Sequence, residues 1–412
     1  MQVIYSAIIQ LYGFIIFIVS SFNKKALKWI EGRKNWPSLI MKWRSLNQGK
    51  LLCIHAASLG EYEQGCLFIE MWRKQFPTWK ILLTFYSPSG FDKVKDVNVD
   101  GIFYLPLDSI HESKKWIALT KPDIYVFIRY EFWFNLINQL CIEGVPTFFV
   151  SAHFRKNMWI FKDISRFGLN HLSRVSSIFC QDSDSVQILQ KHGLKNAYIM
   201  GDGRIDRVAQ IAHSKEPINW LEKFKSNRKL FIAGSVWPLD EDRILPLLDA
   251  FPDMAYLIAP HDVSPSNINR LVSKFKNHGT LALWSDYKPS MPIKILVLDT
   301  IGWLSRSYAY ADLAFIGGGY KEGLHSILEP AAFGCPLFFG PKHKAFPEAQ
   351  TLIDLGGAIE VFDSSKLIIE VKNIMVNTSL YNSMKTINQT FITSNQGASK
   401  RMLEAIAAFF NS

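Results

Sequence analysis

The protein has 412 residues, 48% of them hydrophobic, so the chain is long enough for two domains of roughly 100–200 residues each. Its 46 lysines and arginines against 36 aspartates and glutamates give a net charge of +10, which favours an anionic partner such as a nucleic acid, a membrane surface or a phosphorylated substrate. The basic residues are not interleaved with an aromatic RNA-binding pattern, so a nucleic-acid partner is not expected. The five cysteines form no C-x-x-C pair, which fits a reducing compartment.

The first element in chain order is an apolar segment, Val3 to Phe22, of 20 residues without a charge. As a helix it would span about 30 Å, the thickness of the hydrocarbon core of a bilayer. No basic start and no A-x-A site accompany it, so cleavage as a signal peptide is not expected. Basic residues between Lys24 and Arg44 follow it, which places the rest of the chain on the cytoplasmic side. Because Gln10 and Gly13 make the segment only moderately apolar, a helix lying in the membrane interface is the alternative.

From residue 50 onward, short β-branched or aromatic runs alternate with longer helix-like stretches. Seven such runs lie between "LLCIHAA" and "AYIMGDG", and six more lie between "LFIAGS" and "AIEVF". Apolar strands separated by helices predict parallel sheets covered on both faces, so we expect two doubly wound, Rossmann-like domains. The predicted order is an anchor helix at 1–25, a first domain at 26–208, a linker at 209–228, a second domain at 229–395 and a C-terminal helix at 396–412.

The segment "LLCIHAASLGEYEQG", residues 51 to 65, begins as a buried strand and ends in a carboxylate. Ser58 and Glu61 have the spacing of a capping box, which needs no substrate. The alternative is functional, because small residues allow close backbone approach and Glu61 falls in the first turn of a helix at the carboxyl edge of the sheet. There the positive end of the helix dipole favours an ionised carboxylate, which can accept a proton from a bound hydroxyl.

A similar pattern returns in "GGGYKEGLHSILEPAAFG", residues 317 to 334. Ser326 and Glu329 again have the S-x-x-E spacing of a helix start. In the functional interpretation, the loop Gly317–Gly319 leaves backbone amides free to surround a phosphate. His325 follows that loop, and Glu329 can accept hydrogen bonds from two ribose hydroxyls.

Several stretches together resemble the 3-deoxy-D-manno-octulosonic acid (Kdo) transferases of lipopolysaccharide assembly. They are, besides the N-terminal apolar segment, "HAASLGE", "YEFWFNL", "GDGRIDR", "LDTIGWL", "YADLAFIGGGY", "HSILEPAAFGCPLFFGP" and "NQGAS". The resemblance covers nearly the whole chain in order and spacing. It implies an inverting glycosyltransferase of the GT-B fold, in which two Rossmann-like domains face each other across a cleft.

The resemblance also implies roles for individual residues. The glutamate of "H-x-x-S-x-G-E" is the family's catalytic base, and it corresponds to Glu61. Three stretches of the second domain are expected to hold the CMP of the donor, CMP-Kdo. They are Pro260 and His261; Ile301, Gly302 and Trp303; and Ser326, Ile327, Leu328 and Glu329. The implied acceptor is lipid IVA, a bisphosphorylated, acylated disaccharide at the inner membrane, which suits a basic domain that contacts membrane lipids.

At three positions the chain departs from the family pattern. Ser326 replaces an asparagine, His261 replaces an arginine, and Arg129 replaces the first glutamate of "E-T-E-x-W". The second glutamate of that motif is retained as Glu131, with a role in orienting the acceptor or in structure. Five residues are therefore expected to support the acceptor or the transition state: Arg129, Glu131, Arg155, Gly318 and His325. For Arg155, solvation in a loop is the competing interpretation.

The expected reaction is a one-step displacement at the anomeric carbon of Kdo, with Glu61 as the base and CMP as the leaving group. No metal site and no cofactor are expected, because loop and helix amides can stabilise the departing phosphate. Two alternatives stay open: a sugar-nucleotide epimerase of the same fold, and a membrane-tethered nucleotide-binding module without activity. The number of Kdo units transferred and the oligomeric state do not follow from the sequence.

Overall fold

A computed structural model describes residues 1–95, 97–129, 131–162, 166–214 and 216–411 of the protein. The chain divides into two compact units. Unit 1 comprises residues 1–207 and 396–412, and unit 2 comprises residues 208–395. Helices occupy much of the segment 209–228, which the sequence analysis assigns to a linker.

Unit 1 is built on a parallel sheet, with seven strands among the described residues. The strands are β1 (Leu51–Ala56), β2 (Lys80–Phe85), β3 (Gly101–Tyr104), β4 (Ile124–Ile128), β5 (Thr147–Ala152), β6 (Ser177–Cys180) and β7 (Ala197–Ile199). Their order is β3-β2-β1-β4-β5-β6-β7, so the direction of winding reverses between β1 and β4. In such a sheet, ligands bind beyond the carboxyl ends of the strands at the reversal.

Helices cover both faces of this sheet. In chain order they are α1 (Gln2–Val19), α2 (Lys24–Glu31), α3 (Trp36–Leu46), α4 (Leu59–Gln75), α5 (Pro88–Phe91), α6 (Ile110–Thr120), α7 (Phe134–Ile142), α8 (Arg166–Leu172), α9 (Ser183–Lys191) and α10 (Gly203–His213). Alternate residues of β4 enter two different apolar clusters, with Tyr125 and Phe127 on one face and Val126 and Ile128 on the other. The continuous apolar run of β4 is thus explained by burial on both faces.

Unit 2 repeats this architecture, again with seven parallel strands in the described part of the chain. They are β8 (Leu230–Val236), β9 (Ala255–Pro260), β10 (Leu281–Leu283), β11 (Ile295–Val297), β12 (Leu313–Ile316), β13 (Leu337–Phe339) and β14 (Ala358–Glu360), in the order β10-β11-β9-β8-β12-β13-β14. The reversal lies between β8 and β12. The sequence analysis misses β10, a partly exposed edge strand of three residues.

The helices of unit 2 are α11 (Asn219–Lys225), α12 (Pro238–Ala250), α13 (Pro265–Phe275), α14 (Leu304–Ser307), α15 (Leu328–Ala332), α16 (Pro347–Leu355), α17 (Ser364–Val376) and α18 (Thr378–Ser394). Short 3-10 helices occupy Trp159–Phe161 in unit 1 and Lys276–His278, Trp284–Asp286 and Tyr308–Tyr310 in unit 2. The helical tail is interrupted at residues 395–397, after which α19 (Ala398–Asn411) packs in unit 1.

One carboxylate accounts for the return of the chain to unit 1. Asp206 accepts hydrogen bonds from the backbone N–H groups of Gly397 and Ser399, each at 2.6 Å, and thereby caps the N-terminus of α19. Arg401 donates to the carbonyl oxygen of Met200 at 2.7 Å. The stretches "GDGRIDR" and "NQGAS" are therefore in contact, and this contact attaches α19 to the rest of unit 1.

Helix α1 has the length and apolar composition of a membrane span, and most of its surface is exposed. Its first turns nevertheless contact unit 1, because the hydroxyl of Tyr5 donates to the Oδ2 atom of Asp108 at 2.7 Å. The amide of Asn135 likewise donates to the hydroxyl of Ser6 at 2.8 Å. One side of α1 is thus attached to the folded unit, while the other presents apolar side chains.

Candidate active site

Glu61 lies where the sequence analysis places it, in the first turn of α4 beyond the carboxyl end of β1. The predicted capping box is wrong, because Ser58 is the N-cap residue but its side chain accepts no hydrogen bond from the helix backbone. The Ser58 hydroxyl donates instead to Oε2 of Glu61. The Glu61 side chain is partly buried, at 16% exposure. Its carboxylate accepts a hydrogen bond from an uncharged donor, the Ser58 hydroxyl.

Arg129 is a second partner of Glu61 and lies on the other side of the winding reversal. It follows β4, and its Nη1 atom lies 3.3 Å from Oε1 of Glu61. Its backbone has a φ of 72°, a conformation that is costly for a residue with a side chain. The Arg129 N–H donates to the carbonyl oxygen of Val150 at 2.7 Å, which holds this turn in place. The arginine that departs from the family pattern is therefore an ion-pair partner of the expected base.

Glu131 lies close to this ion pair, and its pKa differs from the ordinary value of a glutamate. Burial, together with the charge of Glu61, raises the pKa of Glu131 to about 8. Its Oε2 atom is 3.9 Å from Nε2 of the fully buried His55. The site thus holds one carboxylate that is paired with an arginine and one that is protonated at neutral pH.

The environment of His55 agrees with a protonated Glu131. The hydroxyl of Thr84 donates to the carbonyl oxygen of Ile54, so Thr84 accepts the hydrogen bond from Nδ1 of His55. This assigns the proton of the neutral imidazole to Nδ1. The unprotonated Nε2 is buried and makes no hydrogen bond among the described residues, since Oε2 of Glu131 is 3.9 Å away. Burial lowers the pKa of His55 to about 3, and the charge of Arg33 contributes. His55 is a member of this site that the sequence analysis quotes but does not assign.

Arg155 follows β5 at the same edge of the sheet. Its Nε atom donates to Nε2 of His153 at 3.3 Å, and Nδ1 of His153 lies 2.8 Å from the carboxylate of Asp182. Arg155 as a residue is exposed. Tyr130, in the stretch that carries Arg129 and Glu131, lies outside the described residues.

In unit 2, three rings stack beyond the carboxyl ends of strands at the winding reversal. The rings of Trp237 and His261 are 4.5 Å apart and inclined by 20°, and those of His261 and His325 are 4.6 Å apart and inclined by 23°. Trp237 follows β8, His261 follows β9 and His325 lies in the loop after β12. The three elements thus bring together a stacked aromatic cluster beyond the carboxyl ends of these strands, where this fold class binds its ligands.

The indole of Trp237 also fixes the protonation of His325. Its Nε1–H donates to Nε2 of His325 at 3.0 Å, so the imidazole carries no proton on that atom. Burial lowers the pKa of His325 to about 4, and the neighbouring His261 contributes. His325 is therefore neutral at physiological pH. The sequence analysis misses Trp237, for which its position directly after an apolar strand is the available signal.

The glycine loop does not have the free amides that the sequence analysis expects. The N–H of Gly317 donates to the carbonyl oxygen of Gly234 at 2.9 Å, and the N–H of Gly318 donates to the carboxylate of Asp240 at 2.9 Å. A Cβ atom on Gly318 would lie 2.1 Å from the carbonyl oxygen of Gly323, which explains the glycine at this position. Support of a transition state through the Gly318 amide is therefore corrected to a role in a tight turn.

Asp240 is the side chain that accepts a hydrogen bond from this loop. Its Oδ2 atom accepts hydrogen bonds from the N–H groups of Gly318 and Trp237, at 2.9 and 2.8 Å. Burial nevertheless raises its pKa to about 6. Asp240 thus connects the stacked aromatic cluster to the glycine loop, a contact that the sequence does not indicate.

The stretch from Ser326 to Glu329 enters α15, but the predicted S-x-x-E helix start is wrong. Ile327 is the N-cap residue and no side chain caps this short helix. The side chains of Ile327 and Leu328 are buried at 1% exposure, so only their backbone can meet a ligand. Glu329 lies in the first turn and its charge, after burial, contributes to raising the pKa of the buried Tyr308.

The remaining expected donor residues lie beyond β9 and β11. Pro260 is the buried last residue of β9, and it positions His261. Ile301 is 72% exposed, and Gly302 has a φ of 111°. Trp303 packs in a second aromatic cluster, 5.3 Å from Trp284 between ring centres.

Side chains that commonly bind metals are dispersed in this molecule. Among the described residues, no group of three or more His, Cys, Asp or Glu side chains is arranged to hold a metal ion. The cysteines are unbridged, and burial raises the pKa of the Cys66 thiol to about 11.

Comparison with known proteins finds similarity to one family. Residues 31–207 match the sequence profile of a family described as "3-Deoxy-D-manno-octulosonic-acid transferase (kdotransferase)". A 3-deoxy-D-manno-octulosonic acid transferase from Haemophilus influenzae is 26% identical over 373 residues, which cover 86% of each chain. One from Chlamydia pneumoniae is 28% identical over 80% of this chain and 78% of its own. The chain is therefore similar to Kdo transferases over most of its length.

Solved structures agree on the fold of this protein. A UDP-GlcNAc 2-epimerase from Neisseria meningitidis, bound to UDP-GlcNAc, is 16% identical with a TM-score of 0.65, and it covers 87% of this chain and 100% of its own. A putative UDP-N-acetylglucosamine 2-epimerase from Listeria monocytogenes has a TM-score of 0.62 at 13% identity, over 88% and 97% of the two chains. Two seven-stranded parallel sheets in the described residues and these neighbours establish the GT-B fold. At such low identity the likeness shows the fold alone.

Proposed function

We propose that the protein is an inverting glycosyltransferase that moves Kdo from CMP-Kdo to lipid IVA in lipopolysaccharide core biosynthesis. The observation that carries the proposal is the geometry of Glu61 at the winding reversal of the first sheet, between the Ser58 hydroxyl and Arg129. A carboxylate held in this way is suited to accept a proton from a sugar hydroxyl. Similarity to Kdo transferases supports the sugar and the reaction class of this proposal.

In the proposed reaction, Glu61 takes the proton of an acceptor hydroxyl as that oxygen attacks the anomeric carbon of Kdo. The new carbon–oxygen bond forms while the bond from that carbon to the phosphate oxygen of CMP breaks. The electron pair leaves with CMP, and the configuration at the anomeric carbon inverts in this single step.

The ion pair between Arg129 and Glu61 suggests how the acceptor reaches the base. Lipid IVA carries phosphates that compete for Arg129, with Arg155 as a second cation at this sheet edge. In our proposal, acceptor binding draws the guanidinium from Glu61, and the carboxylate then accepts a hydrogen bond from the acceptor hydroxyl.

Unit 2 is proposed to bind the donor. The rings of Trp237, His261 and His325 offer a stacking surface for the flat cytosine base. Glu329 is proposed to accept hydrogen bonds from the ribose hydroxyls. The exposed backbone at Ile301–Trp303 and the side chain of Ser326 are proposed as further CMP contacts.

The exposed apolar face of α1 is proposed to hold the protein at the inner membrane, with the catalytic units on the cytoplasmic side. Lys24 and Lys25 follow this helix and are exposed. Cations in this position are attracted by anionic lipid head groups. This placement brings the first unit to the surface in which an acylated acceptor resides.

The proposal is tested by incubating the purified full-length protein in detergent micelles with CMP-Kdo and lipid IVA. The products are resolved by mass spectrometry and the configuration of the new glycosidic bond by NMR. We expect CMP release together with lipid IVA carrying one or more Kdo units, with inverted configuration. A free epimerised sugar would indicate the epimerase alternative, and the absence of CMP release with lipid IVA would indicate a binding module.

A further inference from the structure

Unit 1 contains a cavity of about 300 Å³ that none of the residues assigned above lines. It lies between helices α1 and α2 on one side and the turn from β2 into α5 on the other. Its walls are mainly apolar, and they include Tyr12, Ile16, Val19, Ala26, Trp29 and Pro88. The cavity thus opens between the helix with the exposed apolar face and the body of the unit.

The base of the cavity is a rigid aromatic group. The rings of Trp29 and Tyr86 are 5.5 Å apart at 72°, and the guanidinium of Arg33 lies 3.8 Å from the centre of Trp29 and 4.8 Å from that of Tyr86. Arg33 also donates to the carbonyl oxygens of Tyr86 and Leu105, at 2.9 and 2.8 Å. Because these rings are held from several directions, the cavity is preformed.

The turn that closes the cavity is bonded to the loop that carries the proposed base. The N–H groups of Tyr86 and Ser87 both donate to the carbonyl oxygen of Ala57, at 3.2 and 2.8 Å. Ala57 directly precedes Ser58, whose hydroxyl donates to Glu61. A molecule in the cavity therefore lies beside the segment that positions the catalytic carboxylate.

Polar groups of the cavity lie on α2 and the closing turn. Lys25 and Ser87 line it, and Asn23 caps α2 by accepting hydrogen bonds from the N–H groups of Lys25 and Ala26, at 2.9 and 3.1 Å. Lys25 is exposed and has no ion-pair partner among the described residues, whereas Lys28 on the same helix is paired with Asp92 at 2.6 Å. The cavity thus combines an apolar interior with an available cation.

We propose that this cavity is an acceptor subsite that binds one acyl chain of the lipid acceptor, with Lys25 contacting the anionic head group. The inference rests on the proposed function, because it names how unit 1 recognises a lipid rather than a soluble sugar. An alkyl chain that passes from the membrane into this cavity stays in apolar surroundings. Its head group then lies on the side of the loop that carries Glu61, and the cation is complementary to a phosphate.

The first experiment introduces a large side chain into the cavity at a position on α2. Ala26→Trp places an indole inside the cavity, and Leu27→Trp, at a 41% exposed neighbour outside the lining, is the matched control. We expect Ala26→Trp to raise KM for lipid IVA about tenfold and to leave KM for its fully deacylated disaccharide bisphosphate unchanged. Leu27→Trp should behave as the wild type with both acceptors. Equal KM values for lipid IVA in the two variants would overturn the proposal.

A second pair of variants tests the cation without altering the packing. Lys25→Glu is compared with Lys93→Glu, a charge reversal at an exposed lysine that does not line the cavity. We expect Lys25→Glu to weaken binding of lipid IVA about fivefold and Lys93→Glu to have no effect. If Ala26→Trp fails to fold, judged by its melting temperature, this pair decides: unchanged binding by Lys25→Glu would contradict the subsite.

Equilibrium binding of lipid IVA without donor separates this proposal from the proposed function. A wild type that binds lipid IVA but transfers nothing contradicts the transferase activity, while a cavity-dependent loss of that binding still supports the subsite. Sedimentation with phosphatidylglycerol vesicles tests whether the acyl chain in the cavity comes from a bulk membrane lipid instead of the acceptor. If Ala26→Trp lowers vesicle binding while its affinity for lipid IVA in detergent is unchanged, the cavity holds a bulk lipid and the acceptor subsite is excluded.

Discussion

At the scale of single residues, the candidate base shares its surroundings with a second carboxyl group of opposite character. Glu61 is paired with Arg129, whereas Glu131 is buried and its pKa is raised to about 8. Two adjacent carboxylates repel each other, and the charge of Glu61 accordingly adds to the effect of burial in raising the pKa of Glu131. The neutral His55, whose Nε2 lies 3.9 Å from Oε2 of Glu131, is consistent with a protonated Glu131.

The raised pKa of Glu131 predicts how stability depends on pH. Between its ordinary value of 4.5 and its folded value of about 8, the folded protein binds more protons than the unfolded chain, so stability falls as pH rises through this range. Glu131→Gln removes this dependence. We expect the variant to gain melting temperature relative to the wild type at about pH 8.5 and to match it more closely at about pH 5. Equal differences at the two pH values would contradict the raised pKa.

The ring of Trp237 is predicted to matter for nucleotide binding. It stacks on His261 and donates to His325, so Trp237→Leu removes both a stacking surface and a hydrogen bond. We expect the affinity for CMP to fall about tenfold in isothermal titration calorimetry, since a stacking contact contributes about 1–3 kcal/mol. Glu329→Ala should also weaken CMP binding. Trp72→Phe, inside the core of unit 1, is the control for general loss of stability. An unchanged affinity in Trp237→Leu would remove the stack from the site.

At the scale of elements, the strands could be predicted from sequence better than the ends of the helices. Buried parallel strands are continuous apolar runs, and thirteen such runs correspond to strands of the structure. The edge strand β10 is not predicted, although β7 and β14, which are equally short and partly exposed edge strands, are predicted. Both S-x-x-E pairs fit a capping box by spacing, but Ser58 contacts Glu61 and Ser326 lies before the helix start.

The site itself could be predicted only in part. Glu61 and His261 follow strands and are indicated by position and by family resemblance. Asp240 and Trp237 depend on contacts between elements far apart in sequence, such as the bond from Gly318 to Asp240. The free amides expected of the glycine loop are absent at Gly317 and Gly318, because the N–H of Gly317 donates to Gly234 of the neighbouring strand β8 and that of Gly318 donates to Asp240 of α12.

The cap at the N-terminus of α19 is expected to make a measurable contribution to the free energy of unfolding. Asp206 is 7% exposed and accepts two backbone hydrogen bonds at the start of the helix. Asp206→Ala leaves those N–H groups without their acceptor and should lower the free energy of unfolding by about 1–2 kcal/mol in urea titration. Asp206→Asn retains one acceptor oxygen and should lose less. A variant Asp206→Ala as stable as the wild type would contradict the role of this cap.

At the scale of the whole molecule, α1 has two distinct sides. Tyr5 and Ser6 bond to Asp108 and Asn135 of unit 1, while the opposite side is apolar and exposed. A helix whose first turns are attached to a folded unit cannot carry those turns to the far leaflet. These contacts therefore favour a helix that lies along the membrane surface over one that spans it.

Removal of residues 1–22 tests this membrane contact. We expect the truncated protein to lose most of its binding to anionic vesicles in a flotation assay, because the apolar face of α1 is gone. Its affinity for CMP should remain that of the full chain, since the proposed donor residues all belong to unit 2. Full vesicle binding without these residues would assign the membrane contact to another surface.

The account depends most on Glu61 as the base. The decisive measurement is the single-turnover rate of Kdo transfer from CMP-Kdo to lipid IVA by Glu61→Gln, compared with the wild type and with Glu63→Gln, two residues further along α4. We predict that Glu61→Gln folds, binds CMP with wild-type affinity and loses transfer by a factor of about 10²–10⁴, while Glu63→Gln stays near the wild type. A near-wild-type rate in folded Glu61→Gln protein would contradict the mechanism.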